Sequence, residues 1–529
     1  MNASEKTSVE EDRREIVEYM TTHRLEENMN ELLNELVKDR PDDPYLDLSQ
    51  AIELKSGSSQ KIINVTARSV AGSDGRPALE AEVETIRGVF RAVVSNMGKG
   101  SVDHSVSTIL TLLGDQLLNK DPAKQEQIDA ILSEDDSVPA DAVLALSIAC
   151  CKAGAKFNEA EWFQHIASLA NVSDPRIPMP WFTVVAGGQF AENELYPASV
   201  SFADTGAASV AGAVATAQKV FGAFPQACVE PAEETTDEET GAVSGGGGGL
   251  ASRPNAGKMG AYAPAFEGMT DVLRTLKKVI KQVEAPEEGS EEPAASVKLS
   301  VNMNVSAYSE KIEGDGDDEE TAFQYELSKW AAPDAVKILK SSGEMVDDYF
   351  EWLQQFPLVS IEDGFEKKDS GSLIALKEKV EGEVTRLAEA AEAGEEEPSP
   401  FSSDLGGSDG VALQLIGNET IANADDIVRA EEKQTSNACA LSLAKAGTIT
   451  KYIALHAKAE TLGVPVICVS EHEGDSTEVF SAHLAVGTRA AQFRAGGLLD
   501  FASTDKYNEL ARIAGGDEGP EYVGANFRK

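Results

Sequence analysis

Five carboxylates in the C-terminal third of the chain, Glu362, Asp363, Glu419, Glu471 and Glu473, follow short apolar runs. Oxygen donors in such places could hold a hard divalent cation such as Mg²⁺. The rival reading is that they are solvated, loop-facing side chains of a very acidic protein. His472, between Glu471 and Glu473, has the residue type for acid–base work, yet a histidine in an acidic loop can equally be a plain solvent-facing side chain. Lys445 follows Ser442 by three residues, which suggests a base beside a hydroxyl nucleophile. That spacing alone does not bring the two within hydrogen-bond reach.

The elements that must carry these groups are legible as short apolar runs at Leu358 to Ile361, Leu413 to Ile416, Cys439 to Leu443, Val464 to Val469 and Ala490 to Phe493. The last four begin roughly 25 residues apart, with helical patterns between them at Ala424 to Lys433, Thr450 to Leu462 and Ser476 to Gly487. Strand and helix alternating at that period predict a parallel sheet with covering helices, most economically a barrel. Chemistry is then sought at the strand C-terminal ends, at Glu362 and Asp363, Asn418 and Glu419, Ser442 and Lys445, Ser470 to Glu473, and Arg494. Upstream, the stretch from Lys61 to Thr85 predicts two strands around a loop rich in Gly, Ser and Asp, and residues 141 to 154 a buried helix starting at Asp141.

The chain has 529 residues, 42% of them hydrophobic, with 46 Lys+Arg against 90 Asp+Glu and a formal net charge of -44. The apolar content excludes a wholly disordered chain, and the charge argues against nucleic acid or anionic membranes as partners, because phosphate contacts need clustered Lys and Arg. No stretch approaches the roughly 18 apolar residues of a membrane span. The first residues, Met1 to Arg14, are polar and unlike a leader, so a cytoplasmic protein is expected. The five cysteines (Cys150, Cys151, Cys228, Cys439, Cys468) are odd in number and lack CxxC spacing, which predicts buried reduced thiols. Stretches near 230–249, 284–296 and 388–410 are acidic or glycine-rich and are expected as mobile loops or insertions. A smaller acidic patch, Asp315 to Glu320, is expected at a hairpin tip or in another loop.

The first 56 residues have their own pattern. Met29, Leu32, Leu33, Leu36 and Val37 lie on one helical face, led in by Ile16, Val17, Tyr19 and Met20, and Pro41 ends the helix. Asp42 or Asp43 can cap a second helix opening at Pro44, with Tyr45, Leu46, Leu48 and Ile52 as its apolar stripe. Two helices this short cannot enclose a core, so their apolar faces need a second copy or another surface. The alternative is packing onto the domain downstream. Residues Tyr19 to Ile52, with the string LNELVKDRPDDPY, resemble the dimerisation/docking domain of protein kinase A regulatory subunits and their ciliary relatives. The resemblance implies a homodimer or heterodimer through residues 1–56, with Met29, Leu32, Leu33, Leu36 and Tyr45 in a helical bundle whose groove takes an amphipathic anchoring helix.

Across residues 61–529 the strings ARSVAGSDGRPALEAEVET, LALSIACCKAGA, SIEDGF, IGNETIAN, KAGTITK, VGTRAAQFRAGG, KYNELARI and GANFR, in that order, together resemble the enolase family. The resemblance implies an α/β architecture: an α+β lid domain over 61–174 and an eight-stranded α/β barrel over 175–529, preceded by the small all-α hairpin at 1–56. It also implies a lyase chemistry, dehydration of 2-phosphoglycerate by a lysine base and a carboxylic acid, with Mg²⁺ stabilising the enediolate. Carried over residue by residue, the family's base falls on Ser442 and its acid on Met259. Its three metal carboxylates fall on Asn302, Glu362 and Asn418, and its second-metal serine on Ser73. Its loop histidine falls on Phe190, its phosphate-binding arginine on His472, and its second substrate lysine on Arg494. Glu471 stands at a further histidine of that family, so two carboxylates, Glu471 and Glu473, are expected to repel phosphate.

These substitutions predict a catalytically degenerate enolase-like scaffold with no cofactor. The alternative is an active phosphopyruvate hydratase with an altered site that still uses magnesium and Lys445, Glu362, Glu419 or Glu471. Pairing a docking hairpin with an enolase-like chain resembles the enolase-related proteins of sperm tails and motile cilia. That resemblance implies an axonemal location and a ciliary scaffold protein as the source of the anchoring helix.

Overall fold

The computed structural model describes residues 14, 16–55, 61–97, 100–229, 235–236, 243–244, 252–285, 295–312, 322–393, 400–407, 410–411, 413–471, 479–516 and 519–528. Residues 16–22 are helical, followed by α1 (Leu25–Asp39) and α2 (Pro44–Lys55). Helix α1 stops where Arg40 turns left-handed (φ 51°) and donates its N–H to Leu36 O, immediately before Pro41. Helix α2 opens as expected of an Asp cap: Asp43 Oδ1 accepts from the N–H groups of Tyr45 and Leu46. Leu32 is buried between the helices, whereas Met29, Leu33, Val37, Tyr45 and Leu46 remain exposed, Tyr45 at 84%.

Next comes an antiparallel sheet, β1 (Asn64–Ala71), β2 (Pro77–Thr85) and β3 (Gly88–Ser95), in that spatial order. It packs on α3 (Ala140–Phe157), which is buried throughout from Leu144 to Ala155, with Cys150 and Cys151 among mostly apolar neighbours. The helix covers the expected 141–154 and extends past it at both ends. Asp129 ties this unit to the barrel: its Oδ2 accepts from Thr450 N (2.9 Å) and Thr450 Oγ1 (2.6 Å).

Eight strands close the barrel: β4 (Met179–Ala186), β5 (Ser199–Asp204), β6 (Val297–Asn302), β7 (Leu358–Glu362), β8 (Gln414–Gly417), β9 (Ala438–Ser442), β10 (Val466–Val469) and β11 (Gln492–Arg494), with β11 pairing back onto β4. The strands of the C-terminal third are parallel, as their spacing predicts, and one strand upstream runs the other way. β5 runs antiparallel to both β4 and β6, while β6 to β11 and the closing pair are parallel. Only the loop 187–198, with no long helix, separates β4 from β5, and a short connection can return a chain only antiparallel. Two helices, α4 (Val210–Val229) and α5 (Met269–Val283), then lie between β5 and β6.

Helices α6 (Ser370–Ala393), α7 (Ile449–Thr461) and α8 (Phe480–Gly487) cover later strands. The stretch near 388–410 is not all loop: α6 continues through Ala393, and residues 400–405 form another helical turn that buries Phe401 and Leu405. Those apolar residues supply what an acidic composition concealed. Most of 230–249 and 284–296 lies outside the described residues, as does the whole of 315–320. Strands Ser309–Ile312 and Ala322–Glu326 flank that last patch and pair antiparallel, as a hairpin requires. All five cysteines are buried and none is in a disulfide, and among the described residues no helix is long and apolar enough to cross a membrane.

Candidate functional site at the barrel mouth

Asn302, Glu362 and Arg494 are the last residues of β6, β7 and β11, and Asn418 follows β8 directly. Strands buried along almost all of their length therefore deliver four polar groups to one end of the barrel. Glu362 is fully buried. Its Oε1 accepts from Asn302 Nδ2 (2.9 Å), Asn418 Nδ2 (2.6 Å) and Arg494 Nη2 (3.0 Å), and its Oε2 from Arg494 Nη1 (2.5 Å). Arg494 Nε reaches Glu471 Oε1 at 2.6 Å, and Glu471 Oε2 accepts from Thr183 Oγ1 on β4 at 2.7 Å. One guanidinium thus bridges two buried carboxylates, and each side of the fork is used.

The sequence did not assign these partners. Arg494 has its donors engaged on Glu362 and Glu471. Glu471 likewise does not stand as a bare charge. It shares the arginine and takes a hydroxyl donor besides. His472 and Glu473 lie outside the described residues. Thr183 had no signature in the sequence beyond being a hydroxyl in the apolar run MPWFTVVA.

Asp363, one residue past β7, adopts a left-handed backbone (φ 44°) that turns its carboxylate toward the β8 loop. There it accepts from the N–H groups of Asn418 (3.0 Å) and Glu419 (2.8 Å). Burial, and then the charge of Glu362, push its acid up to about 6. Lys445 reaches the same mouth, with Nζ 2.6 Å from both Asn418 Oδ1 and Glu419 Oε1. It is paired there and not with Ser442, which ends β9 and is half-buried. The contact also settles the Asn418 amide, whose oxygen faces the ammonium and whose nitrogen faces Glu362.

The position expected to carry an acid is apolar. Met259, at φ 62°, packs with Ala186 and Ala261 against Phe190 and Ala191. Its loop is clamped to the end of β11 by backbone: Gly497 N donates to Met259 O (2.7 Å) and Leu499 N to Gly260 O (2.9 Å). A Cβ on Gly497 would lie 2.2 Å from Gly260 O and 2.3 Å from Thr183 O, so only glycine permits this approach.

Between the N-terminal unit and the mouth lies a cavity of about 1130 Å³, with Ser73 and Asp74 on one wall and Met259, Glu471 and Lys506 on the other. The Ser73 loop is held by Gly72 N donating to Arg76 O and by the Asp74–Arg76 pair at 2.5 Å. Lys506 is buried and donates to Ser470 O (2.8 Å) and Ser470 Oγ (2.9 Å). A second cavity of about 270 Å³ is lined by Asn302, Asp363, Asn418, Glu419 and Lys445.

The donor set does not match the Mg²⁺ that the family resemblance implies. Mg²⁺ demands oxygens in octahedral array, whereas N–H groups converge on both oxygens of Glu362. Of the two amide oxygens, Asn418 Oδ1 holds Lys445, and Asn302 Oδ1 is buried without a hydrogen-bond partner. Among the described residues no cluster of three or more His, Cys, Asp or Glu could hold a metal.

With this geometry in hand, comparison with known proteins gives a consistent result. The family described as "Enolase, C-terminal TIM barrel domain" matches residues 175–388 and 399–529. Cytosolic enolase 3 of Arabidopsis thaliana is 26% identical over 528 residues, covering 94% of this chain and 96% of its own length. An enolase of Eimeria tenella is 27% identical over 505 residues, covering 88% of this chain and 98% of its own.

Proposed function

The chain belongs to the enolase family, and on that premise we propose that it is a non-enzymatic member, a scaffold recruited through its N-terminal helices in a ciliary or flagellar axoneme. The observation that carries the proposed loss of turnover is Arg494 seated between Glu362 and Glu471, where a metal ion and a substrate carboxylate would have to fit. Two further substitutions support it. A serine, Ser442, ends the strand where the resemblance places a lysine base, and a hydroxyl is no useful base at neutral pH. Met259, buried among apolar neighbours, holds no proton to give.

Recruitment is supported by the exposed stripe of Met29, Leu33 and Tyr45 around the buried Leu32, with Leu36 half-buried beside it. A second copy and an amphipathic helix would cover such a stripe. Cytosol and axoneme as locations rest on the family likenesses alone.

The test has two arms. Purified full-length chain given Mg²⁺ and 2-phosphoglycerate forms no phosphoenolpyruvate above a heat-killed control. The variant Leu32→Glu with Leu36→Glu, or a chain lacking residues 1–56, sediments as a smaller species and no longer retains an amphipathic anchoring helix, while its far-UV circular dichroism stays barrel-like. Turnover defeats the first half and unchanged retention the second. The reading as an active phosphopyruvate hydratase draws support from one observation, the ammonium of Lys445 at the mouth. It predicts turnover that Lys445→Met abolishes.

A further inference from the structure

Around Glu362 the structure assembles a carboxylate with no solvent exposure, two amides turned nitrogen-first toward it, and an arginine whose side chain is 3% exposed. Glu471 has no exposed side-chain surface either, and it shares the same arginine. Two carboxylates this close cannot both stay ionised in a dry site without a cation between them. Here that cation is covalent. The planar fork matters, because Nη1 and Nη2 address Glu362 while Nε addresses Glu471. A lysine ammonium at the end of β11 has no fixed fork with which to hold both in register.

We propose that Arg494 is the resident cation of the barrel mouth, neutralising Glu362 and Glu471 in place of a divalent ion and tying β7 and β11 to the loop after β10. The metal implied by the family and the residues present disagree, and the disagreement has a structural purpose: the mouth is assembled at synthesis and needs no loading. Asn302 and Asn418 fit the same design. Amides supply N–H donors to a carboxylate that already has its cation, where two more carboxylates would leave surplus buried charge. This inference rests on the non-enzymatic reading of the mouth. Its test reads stability and cation binding, not turnover or recruitment, so the two can fail separately.

The experiment uses the full chain and thermal unfolding. Arg494→Ala unfolds at a midpoint lower by roughly 5 °C or more, because two buried carboxylates lose their partner. Guanidinium or methylguanidinium chloride at millimolar concentration recovers part of that loss in Arg494→Ala and leaves the parent unmoved, and matched NaCl does neither. Arg494→Lys falls between parent and alanine variant. In the double variant Glu362→Gln with Arg494→Met the midpoint lies above that of Arg494→Ala, since less uncompensated charge remains. Should Arg494→Ala fail to fold, the parent compared with Glu362→Gln still decides. Mg²⁺ moves its midpoint no more than it moves that of Glu362→Gln. A Mg²⁺ stabilisation present in the parent and lost in Glu362→Gln overturns the proposal, as does guanidinium acting equally on Arg494→Ala and parent.

Discussion

At the scale of single residues, burial is the dominant physical fact about the titratable groups. His165 and His456 are buried, and burial holds each down to about 4 from the usual 6.5. The unfolded chain takes up these protons near pH 6.5 and the folded chain only near 4. Stability present above 6.5 is therefore lost as pH falls through that window. Asp363 works in the opposite sense. Raised to about 6 by burial and then by Glu362, it keeps a proton in the fold that the unfolded chain sheds from pH 3.8 upward, so its contribution weakens as pH rises from 3.8 to 6. Replacing His456 by Gln is expected to remove up to about 1.4 kcal/mol per pH unit of the acid-side slope. Urea unfolding at several pH values between 7 and 4 measures it, and an unchanged slope would mean that His456 titrates normally in the fold.

Among the elements, α4 shows how a helix tolerates an internal proline. Pro225 has no N–H to give to Phe221 O four residues back. The orphaned carbonyl instead accepts from Tyr262 Oη at 3.0 Å. Removing that hydroxyl in Tyr262→Phe is expected to cost about 1 kcal/mol. In a Pro225→Ala background the helix makes its own hydrogen bond, and the Tyr262→Phe penalty should shrink toward zero. A double-mutant cycle by chemical denaturation reads the difference, and equal penalties in both backgrounds would refute the account. Helices α1 and α2 pose the reverse problem. Their boundaries follow from local rules that sequence carries, the Asp43 cap and Pro41, whereas the covering of their stripe by another molecule is part of the proposed function.

On the scale of the whole molecule, charge is the outstanding quantity. A formal net charge of -44 places strong self-repulsion on the folded state. Raising NaCl from about 0.05 M to about 0.5 M shortens the screening length severalfold. The unfolding midpoint is expected to rise by a few degrees, as differential scanning calorimetry would register. A flat or falling midpoint would place the excess charge where it does not burden the fold, in segments beyond the packed units.

Periodicity in the sequence alone located the strands at Leu358, Cys439 and Val464 and the helix around Thr450, because apolar runs and their spacing are written locally and burial acts on every residue of them. It also pointed to the strand C-terminal ends as the place where polar groups gather, whereas the reading of Ser442 and Met259 as the wrong residue types for a proton-transfer pair came from the family resemblance. The reversal of β5 escaped that reading because strand direction depends on which connections are helices and which are loops. What Arg494 does was decided by tertiary structure. Its partners are Glu471 and Glu362, the latter 132 residues earlier in the chain. Only closure of the barrel brings the end of β7 beside the end of β11, and electrostatic partnership falls off over a few ångströms whatever the distance along the chain.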